Sequence, residues 1–451
     1  MTGNKIHFTS LGCPRNLVDS EIMIGMLMRS GYEIIPELEK ADYLIVNTCG
    51  FLQSARDESS GVIEEFLAHR KRGAKVIATG CMVQEHKEEI RKKYPSIDAL
   101  IGSGDVESIL KAIKAEMPED FVTSARSYIE QGEVPRVLTT PKHYAYLKIS
   151  EGCRKRCSFC VIPKIKGPLK SKSIDQIVKE FKILLSQGVE EVILIAQDLG
   201  DFGKDDGHEN GNLNALLKEL LKIEGSYWIR LLYIYPDEIN EDLIDLIKSD
   251  SRLLPYLDIP LQHINNRILK KMRRKTSRED IIQILSLVKE KIPEMVIRTS
   301  LMVGFPSETE EEFNELVDFV KNYPLDNVGV FKFSKEKGAT AYNMDEQIDQ
   351  ETKDRRYDVL MQLLQKQSLT HNKKWIGQTL DVFVEGYHPD SEFLMQGRFY
   401  GQSPEIDGVV VINVHDKVDA FGKLYKVKIT DSLGYDLLGE VVSQVESLAL
   451  V

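Results

Sequence analysis

The first part of the chain alternates short apolar runs with segments in which apolar residues return every three or four positions. The runs are IHFTSLG (6–12), ADYLIVNTCG (41–50), AKVIATGC (74–81) and IDALIGSG (97–104); residues 16–29, 53–72, 83–94 and 106–115 carry the helical period between them. Strand-helix alternation at this spacing predicts βαβ units, and so an α/β domain over residues 1–125 built on a doubly wound parallel sheet. A second series begins near residue 145: YLKIS (146–150), EVILIAQD (191–198), WIRLLYIY (228–235), LPYLDIPL (254–261), MVIRTSLMVGF (295–305) and VGVFKFS (328–334), each separated by a helical segment. Strand and helix alternating six times predict a (β/α)6-type partial barrel over residues 140–350, with its chemistry at the C-terminal strand ends. Residues 351–375 read as one charged amphipathic helix. Beyond it, residues 376–445 lose the helical period and predict a small five-stranded, all-β barrel.

Composition narrows the class. Of 451 residues 42% are apolar and 29% charged, an ordinary globular balance that excludes collagen-like, low-complexity and disulfide-scaffold chains. Acids outnumber bases 70 to 59, a net charge of −11, which argues against a dedicated nucleic-acid binder unless a local basic patch overrides the sum. No run approaches the ~18 apolar residues of a membrane span, and the first residues lack the apolar stretch of a secretory signal. The expectation is a cytoplasmic protein with no membrane partner. In a reducing compartment its six cysteines are better read as ligands than as disulfides.

Cys153, Cys157 and Cys160 form C-x3-C-x2-C directly after the first strand of the second series. Three thiolates hold three irons of a [4Fe–4S] cube and leave the fourth open. Zinc wants four ligands, usually with paired C-x2-C spacing, and no histidine falls beside this loop, His143 being ten residues upstream. The cluster is favoured, with zinc or unrelated buried cysteines as the alternatives. Cys13, Cys49 and Cys81 each lie just past a predicted strand of the first domain, beside Gly12, Gly50 and Gly80. A lone cysteine at a strand end is ordinarily a small buried hydrophobe. Three on equivalent ends, where a doubly wound sheet opens its crevice, predict a second cluster.

C-x3-C-x2-C with Phe159 before its last cysteine resembles the radical S-adenosylmethionine signature. The resemblance implies that the open iron chelates the methionine amino and carboxylate groups. It also implies that an electron from the cluster breaks the sulfonium, yielding a 5′-deoxyadenosyl radical that removes hydrogen from an unactivated carbon. Two clusters in this order are similar to the radical S-adenosylmethionine methylthiotransferase family over essentially the whole chain: an N-terminal cluster domain, a radical barrel and a C-terminal TRAM barrel. By that resemblance the first cluster delivers sulfur, methylated by a second S-adenosylmethionine, and a flavodoxin or ferredoxin supplies electrons. LGCPRNLVDSE (11–21) and NTCGFLQSA (47–55) resemble the branch that methylthiolates the β-carbon of an aspartate in protein 12 of the small ribosomal subunit. The branch that modifies an adenosine of tRNA is the alternative. SEGC (150–153), YLDIPLQH (256–263) and VGFPSETEEEF (303–313) are shared more widely. Lys166-Gly167 and Ser171-Lys172 stand where the resemblance implies Arg-Gly and Ser-Arg, and Ser307 replaces a usual glycine.

Other polar residues fall where barrel sites lie. Glu151, Gln197, Gln262 and Arg298 are candidate contacts to S-adenosylmethionine, although a barrel-interior arginine equally pairs a buried acid. His263 reads as a structural hydrogen-bonder at least as well as a participant, Asp105 as a helix cap, and no general base is assignable. Between residues 376 and 451 twelve acids face five bases, which suits a basic ribosomal protein better than tRNA phosphates. Two basic runs, Lys164–Lys172 and Arg267–Arg278, read as solvated faces, with a contact to RNA as a secondary expectation.

Overall fold

The computed structural model describes residues 3–125, 129, 135–205, 212–323, 325–413 and 417–445. In the N-terminal unit the apolar runs become parallel strands β1 (Lys5–Ser10), β2 (Glu33–Ile34), β3 (Tyr43–Thr48), β4 (Lys75–Gly80), β5 (Ala99–Gly102) and β6 (Glu119–Phe121), in the order β2-β1-β3-β4-β5-β6. Helices α1 (Pro14–Arg29), α2 (Gln53–His69), α3 (Cys81–Lys93) and α4 (Ile109–Lys114) connect them. Every residue of β3 is buried, which is why its sequence shows no in–out alternation. β2 and β6 escape a search for apolar runs because they are two and three residues long and carry Glu33, Glu119 and Asp120. Asp105 precedes a 3-10 turn but caps nothing with its side chain. Its carboxylate instead accepts from the Thr123 amide at 2.9 Å and hydroxyl at 2.8 Å, because the chain leaving β6 brings both donors to it.

The second unit is an open arc of six parallel strands, β7 (Tyr144–Lys148), β10 (Glu191–Ile195), β11 (Trp228–Leu231), β12 (Leu253–Asp258), β13 (Val296–Val303) and β14 (Asn327–Lys332), in that order. A short pair, β8 (Ser150–Glu151) and β9 (Lys170–Ser171), brackets the cysteine loop and α5 (Ile162–Lys166). The outer layer is α6 (Ile174–Ser186), α7 (Leu213–Leu221), α8 (Glu241–Ser249), α9 (Asn266–Lys271), α10 (Arg278–Lys291) and α11 (Glu310–Asn322). Ser173, Asn212, Asn240, Asn265, Ser277 and Thr309 cap these six helices with their side chains, the last two in full capping boxes. Residues 232–235, which read as strand, leave the sheet: Tyr233 takes φ 72° and a 3-10 turn starts at Pro236. This departure turns Tyr233 and Tyr235 into the mouth of the arc.

Helix α12 (Gln350–Asn372) ends three residues before the predicted boundary, in a 3-10 turn from Lys373 to Trp375. It leads to a closed barrel of β15 (Thr379–His388), β16 (Ser391–Phe399), β17 (Val410–Asn413), β18 (Lys423–Leu433) and β19 (Asp436–Gln444). This barrel docks on the N-terminal ends of the arc, opposite the cysteine loop. Buried Glu191 binds Arg230 at 2.6 Å and Arg398 at 2.9 Å, His143 reaches Glu385 at 2.9 Å, and Asp407 enters the arc to meet Tyr256 at 2.6 Å and Arg298 at 3.3 Å. Several acids counted toward a partner surface are therefore spent internally: Glu385, Asp407 and also Asp419, which accepts from Tyr425. Asp416 and Glu446 lie outside the described residues. Among the described residues no helix is long and apolar enough to cross a membrane.

Candidate functional site

The strand order of the first sheet reverses between β1 and β3, which opens a crevice at their carboxyl ends. Cys13 follows β1, Cys49 follows β3 and Cys81 follows the adjacent β4, so three residues far apart in sequence meet at this switch point. The Cys49 thiol feels the charge of Cys13, and the Cys81 thiol that of both. Gly12 has φ +88°, and a Cβ there would lie 2.8 Å from the Cys49 Cβ; a Cβ on Gly50 would lie 2.7 Å from the Cys81 carbonyl carbon. The gathering requires glycine at both places. Cys13 is the N-cap of α1 and Cys81 the first residue of α3, and neither helix is capped by a side chain. Their first-turn amides and positive dipole ends therefore lie beside the thiols and favour an anionic occupant.

The C-x3-C-x2-C loop lies at the mouth of the arc. Gly152 (φ 76°) turns the chain into it, and the amides of Cys153 and Cys160 donate to the Gly167 and Cys157 carbonyls at 3.3 and 3.2 Å. Cys157 Sγ sits 3.3 Å from Tyr235 Oη and accepts from Arg274 Nη1 at 3.7 Å; Cys160 Sγ accepts from the Ile162 amide at 3.4 Å. Burial pushes Cys81 and Cys160 up to about 12 and Cys153 to about 11. At Cys13 burial is outweighed by the charge of Arg15 and nearby amides, and that thiol is lowered. A metal bound by these sulfurs would have to displace protons from Cys81, Cys153 and Cys160.

The two triads face one another. Cys81 packs against Val161 and Ile165, just beyond Cys160. Between the triads lies Arg15, half-buried, its charge acting on Cys13, Cys81 and Cys160. Its guanidinium donates to the Ala196 carbonyl at 2.7 Å and stands 5.7 Å from the centre of the Tyr233 ring. Beside it a buried network joins the units: Asp19 of α1 pairs with Lys148 and, at 3.0 Å, with Lys166, which binds Glu151 at 2.9 Å. The expectation that Lys164–Lys172 forms a solvated face is thus corrected for two members. Lys166 is buried against Asp19 and Glu151, and Lys172 against Glu180 at 2.6 Å.

Each candidate cofactor contact now has a place. Glu151 is spent on Lys166, with Lys148 at 3.4 Å. Gln197, at the end of β10, is buried with neither its amide oxygen nor its nitrogen partnered among the described residues, a polar pair suited to a polar ligand at the mouth. Gln262 has φ 71° and donates to Ser300 Oγ at 3.1 Å. Arg298 binds Asp258 at 3.0 Å and Asp407. His263 accepts from the Asn265 amide at 3.0 Å and contacts Glu308 at 3.3 Å, a structural role. Ser307 holds φ 66°, a geometry that favours glycine, and offers its oxygen to Arg267 at 3.2 Å and to Lys271. In the second basic run Arg267 is therefore occupied, and Arg274 is buried over Tyr235.

Sequence reasoning missed Arg15, Asp19, Tyr235 and Arg274. One signal was available: Asn16, Asp19, Ser20 and Glu21 put polar residues on the buried side of α1, out of keeping with an amphipathic helix. The donor set fits iron better than zinc. Each triad is three sulfurs, and His143 is turned away to Glu385 at the far end of the arc.

Residues 5–102 match the uncharacterized protein family UPF0004, residues 147–320 the radical SAM superfamily and residues 376–442 the TRAM domain. A protein of Protochlamydia amoebophila named ribosomal protein uS12 methylthiotransferase RimO is 60% identical over 441 residues, 98% of this chain and 93% of that one. Proteins of the same name from Chlamydia caviae and Clostridioides difficile are 55% and 41% identical, over 98% and 97% of this chain and 96% and 99% of theirs. Among solved structures, the radical S-adenosylmethionine methyltransferase TsrM from Kitasatospora setae shares the fold, with a TM-score of 0.55 at 14% identity over 75% of this chain and 74% of that one.

Proposed function

The chain belongs to the RimO family of radical S-adenosylmethionine methylthiotransferases, and from that premise we propose that it methylthiolates the β-carbon of an aspartate in ribosomal protein uS12. Two [4Fe–4S] clusters would be held by Cys13, Cys49 and Cys81 and by Cys153, Cys157 and Cys160. The observation that carries this reading is the pair of three-thiol sites facing each other across Arg15. When bound, the cluster on the barrel loop supplies the electron that cleaves S-adenosylmethionine, and the other offers an open iron for the sulfur.

The protein's own residues bring these sites together and keep water out. α1 presents Cys13 while Asp19 anchors the same helix to Lys148 and Lys166 at the barrel mouth. Arg15 keeps a fixed positive charge between the triads, where anionic sulfur would pass. The Gln197 amide, unpartnered among the described residues, would bind the polar end of S-adenosylmethionine, with Gln262 beside it as a second contact. Glu151 and Arg298 then act as positioning residues through Lys166 and Asp258. We divide the chain at 1–125, 140–350, 351–375 and 376–445, a division supported by the three matched spans. The working compartment is the cytoplasm, where the protein substrate is made.

The test is anaerobic reconstitution of the wild type and a Cys153→Ala, Cys157→Ala, Cys160→Ala variant, then reduction with S-adenosylmethionine and a uS12 peptide. About eight irons falling to about four, with a methylthio mass gain in the wild type alone, supports the reading. About four irons in the wild type refutes the first cluster. A full iron count with modification of tRNA and none of the peptide would move the substrate to the other branch.

A further inference from the structure

A cleft of about 320 Å³ opens beside the cysteine loop, lined by residues of the second unit and by none of the N-terminal unit. Its floor is Cys157, Tyr235 and Arg274, and its rim carries Arg154, Arg156, Arg273 and Lys275. Not all of that charge is free. Lys155 is buried among Asp198, Asp201, Asp237 and Glu238, the last at 2.9 Å, and Arg154 binds Asp201 at 3.0 Å. Arg156, Arg273 and Lys275 are exposed, and no acid among the described residues pairs with any of them. Arg273 projects from a backbone with φ 59°, a conformation that non-glycine residues rarely adopt. On a chain of net charge −11, three unpaired cations ringing one cleft make a local field opposite in sign to the whole.

We propose that this cleft docks the acidic one-electron carrier protein that reduces the cluster on Cys153, Cys157 and Cys160, an inference that rests on the reading of that loop as a cluster site. The floor distinguishes this occupant from a nucleic acid. Phosphates would be satisfied by the rim alone and would gain nothing from a cluster ligand at the bottom. An electron donor needs that close approach, and Cys157 provides it: its sulfur touches Tyr235 Oη at 3.3 Å, and the Arg274 guanidinium lies 3.9 Å from the centre of the Tyr235 ring. The other side of the loop is closed, because Cys160 faces Arg15 and the residues after it pack on Cys81. Sulfur and electrons would thus approach from opposite sides. In the step itself one electron leaves the reduced carrier and enters the oxidised cluster; the carrier is oxidised by one, the cluster is reduced by one, and no bond or proton moves.

The test uses the reconstituted full chain and two reductants: an acidic flavodoxin in its hydroquinone form, and photoreduced 5-deazariboflavin, which is small and uncharged. Bleaching of the cluster absorption is followed by anaerobic stopped flow in the wild type, in Arg156→Glu/Lys275→Glu and in the milder Arg273→Gln. Charge reversal should slow reduction by flavodoxin at least about tenfold at low ionic strength, with Arg273→Gln in between and the gap closing at high salt. Iron content and reduction by deazariboflavin should not change. Unaltered flavodoxin kinetics would overturn the proposal, as would an equal loss with both reductants, which would assign the effect to the cluster. Loss of binding to a single-stranded RNA oligonucleotide with flavodoxin kinetics intact would make the cleft a nucleic-acid contact and also overturn it. A wild type with no deazariboflavin-reducible cluster would refute the reading of the loop itself.

Discussion

Glu191 lies wholly buried where the C-terminal barrel meets the arc, between Arg230 at 2.6 Å and Arg398 at 2.9 Å. Burial alone would raise its carboxyl, but the two guanidinium groups hold it down at about 2, against an ordinary 4.5. At about 1.4 kcal/mol per unit, that difference is worth about 3 kcal/mol. Independently, breaking one partner from a buried ion pair costs about 3–5 kcal/mol. Glu191→Gln would leave Arg230 with the Tyr400 carbonyl as its polar partner, whereas Arg398 keeps Glu385. The protein supplies its own reporter. Its two tryptophans both sit at this junction, Trp228 edge-on to Phe383 at 4.8 Å and Trp375 against Phe399 at 4.9 Å. Urea unfolding followed by tryptophan emission should therefore move to a midpoint about 1.5 M lower in Glu191→Gln, taking a slope of about 2 kcal/mol per M. Because the folded carboxyl is lowered, its contribution is complete above pH 4.5 and is lost as pH falls toward 2, so the wild type should show an acid limb there that the variant lacks. A midpoint within about 0.3 M of wild type, or an acid limb unchanged by the substitution, would refute the claim that this carboxylate ties the two units.

Asp198 should show the opposite sign: burial and the neighbouring Asp201 and Glu238 raise it to about 6 against the pull of Lys155, so stability should fall as pH rises from 3.8 through 6. Thermal unfolding across that window should be steeper in the wild type than in Asp198→Asn. Asp19→Asn leaves Lys148 and Lys166 sharing Glu151 and should cost about 3–5 kcal/mol, seen as earlier proteolysis of the N-terminal unit with the C-terminal barrel still protected. Arg15→Gln should retain its iron but lower methylthio transfer about 10–100-fold, with Arg15→Lys recovering part; loss of iron in both would make Arg15 a support for the cluster site instead.

The two sheets and the small barrel were legible in the sequence because their signals are local. Buried parallel strands read as unbroken apolar runs, and a change of period marks the start of the C-terminal barrel. The cysteines stood out by two different signals: Cys13, Cys49 and Cys81 stand at the ends of such runs, whereas Cys153, Cys157 and Cys160 are marked by their own C-x3-C-x2-C spacing. What joins the units was not. Lys166 and Asp19 are 147 residues apart, and nothing in the composition of either neighbourhood says that they meet. The basic runs misled because charge at helical spacing normally means a wet face, while Lys166, Lys172 and Arg274 are buried against specific partners. The location of the C-terminal barrel was equally hidden: its acids counted as surface until Glu385 and Asp407 were seen to be consumed at the base of the arc.

Helix α1 carries Cys13 at its tip, Arg15 in its first turn, and then Asp19 and Glu21. The last binds Arg136 at 2.6 Å and the Thr139 amide at 2.7 Å. The spacing between the two thiol sites is therefore written in the rise of one helix. A chimera that exchanged residues 1–125 with those of a relative would cut the chain at its link yet sever the joint at Lys148, Lys166 and Arg136. The inheritable module is the helix together with its sockets on the barrel. The C-terminal barrel, fixed at the opposite end, is free to diverge without altering the distance between the two thiol sites.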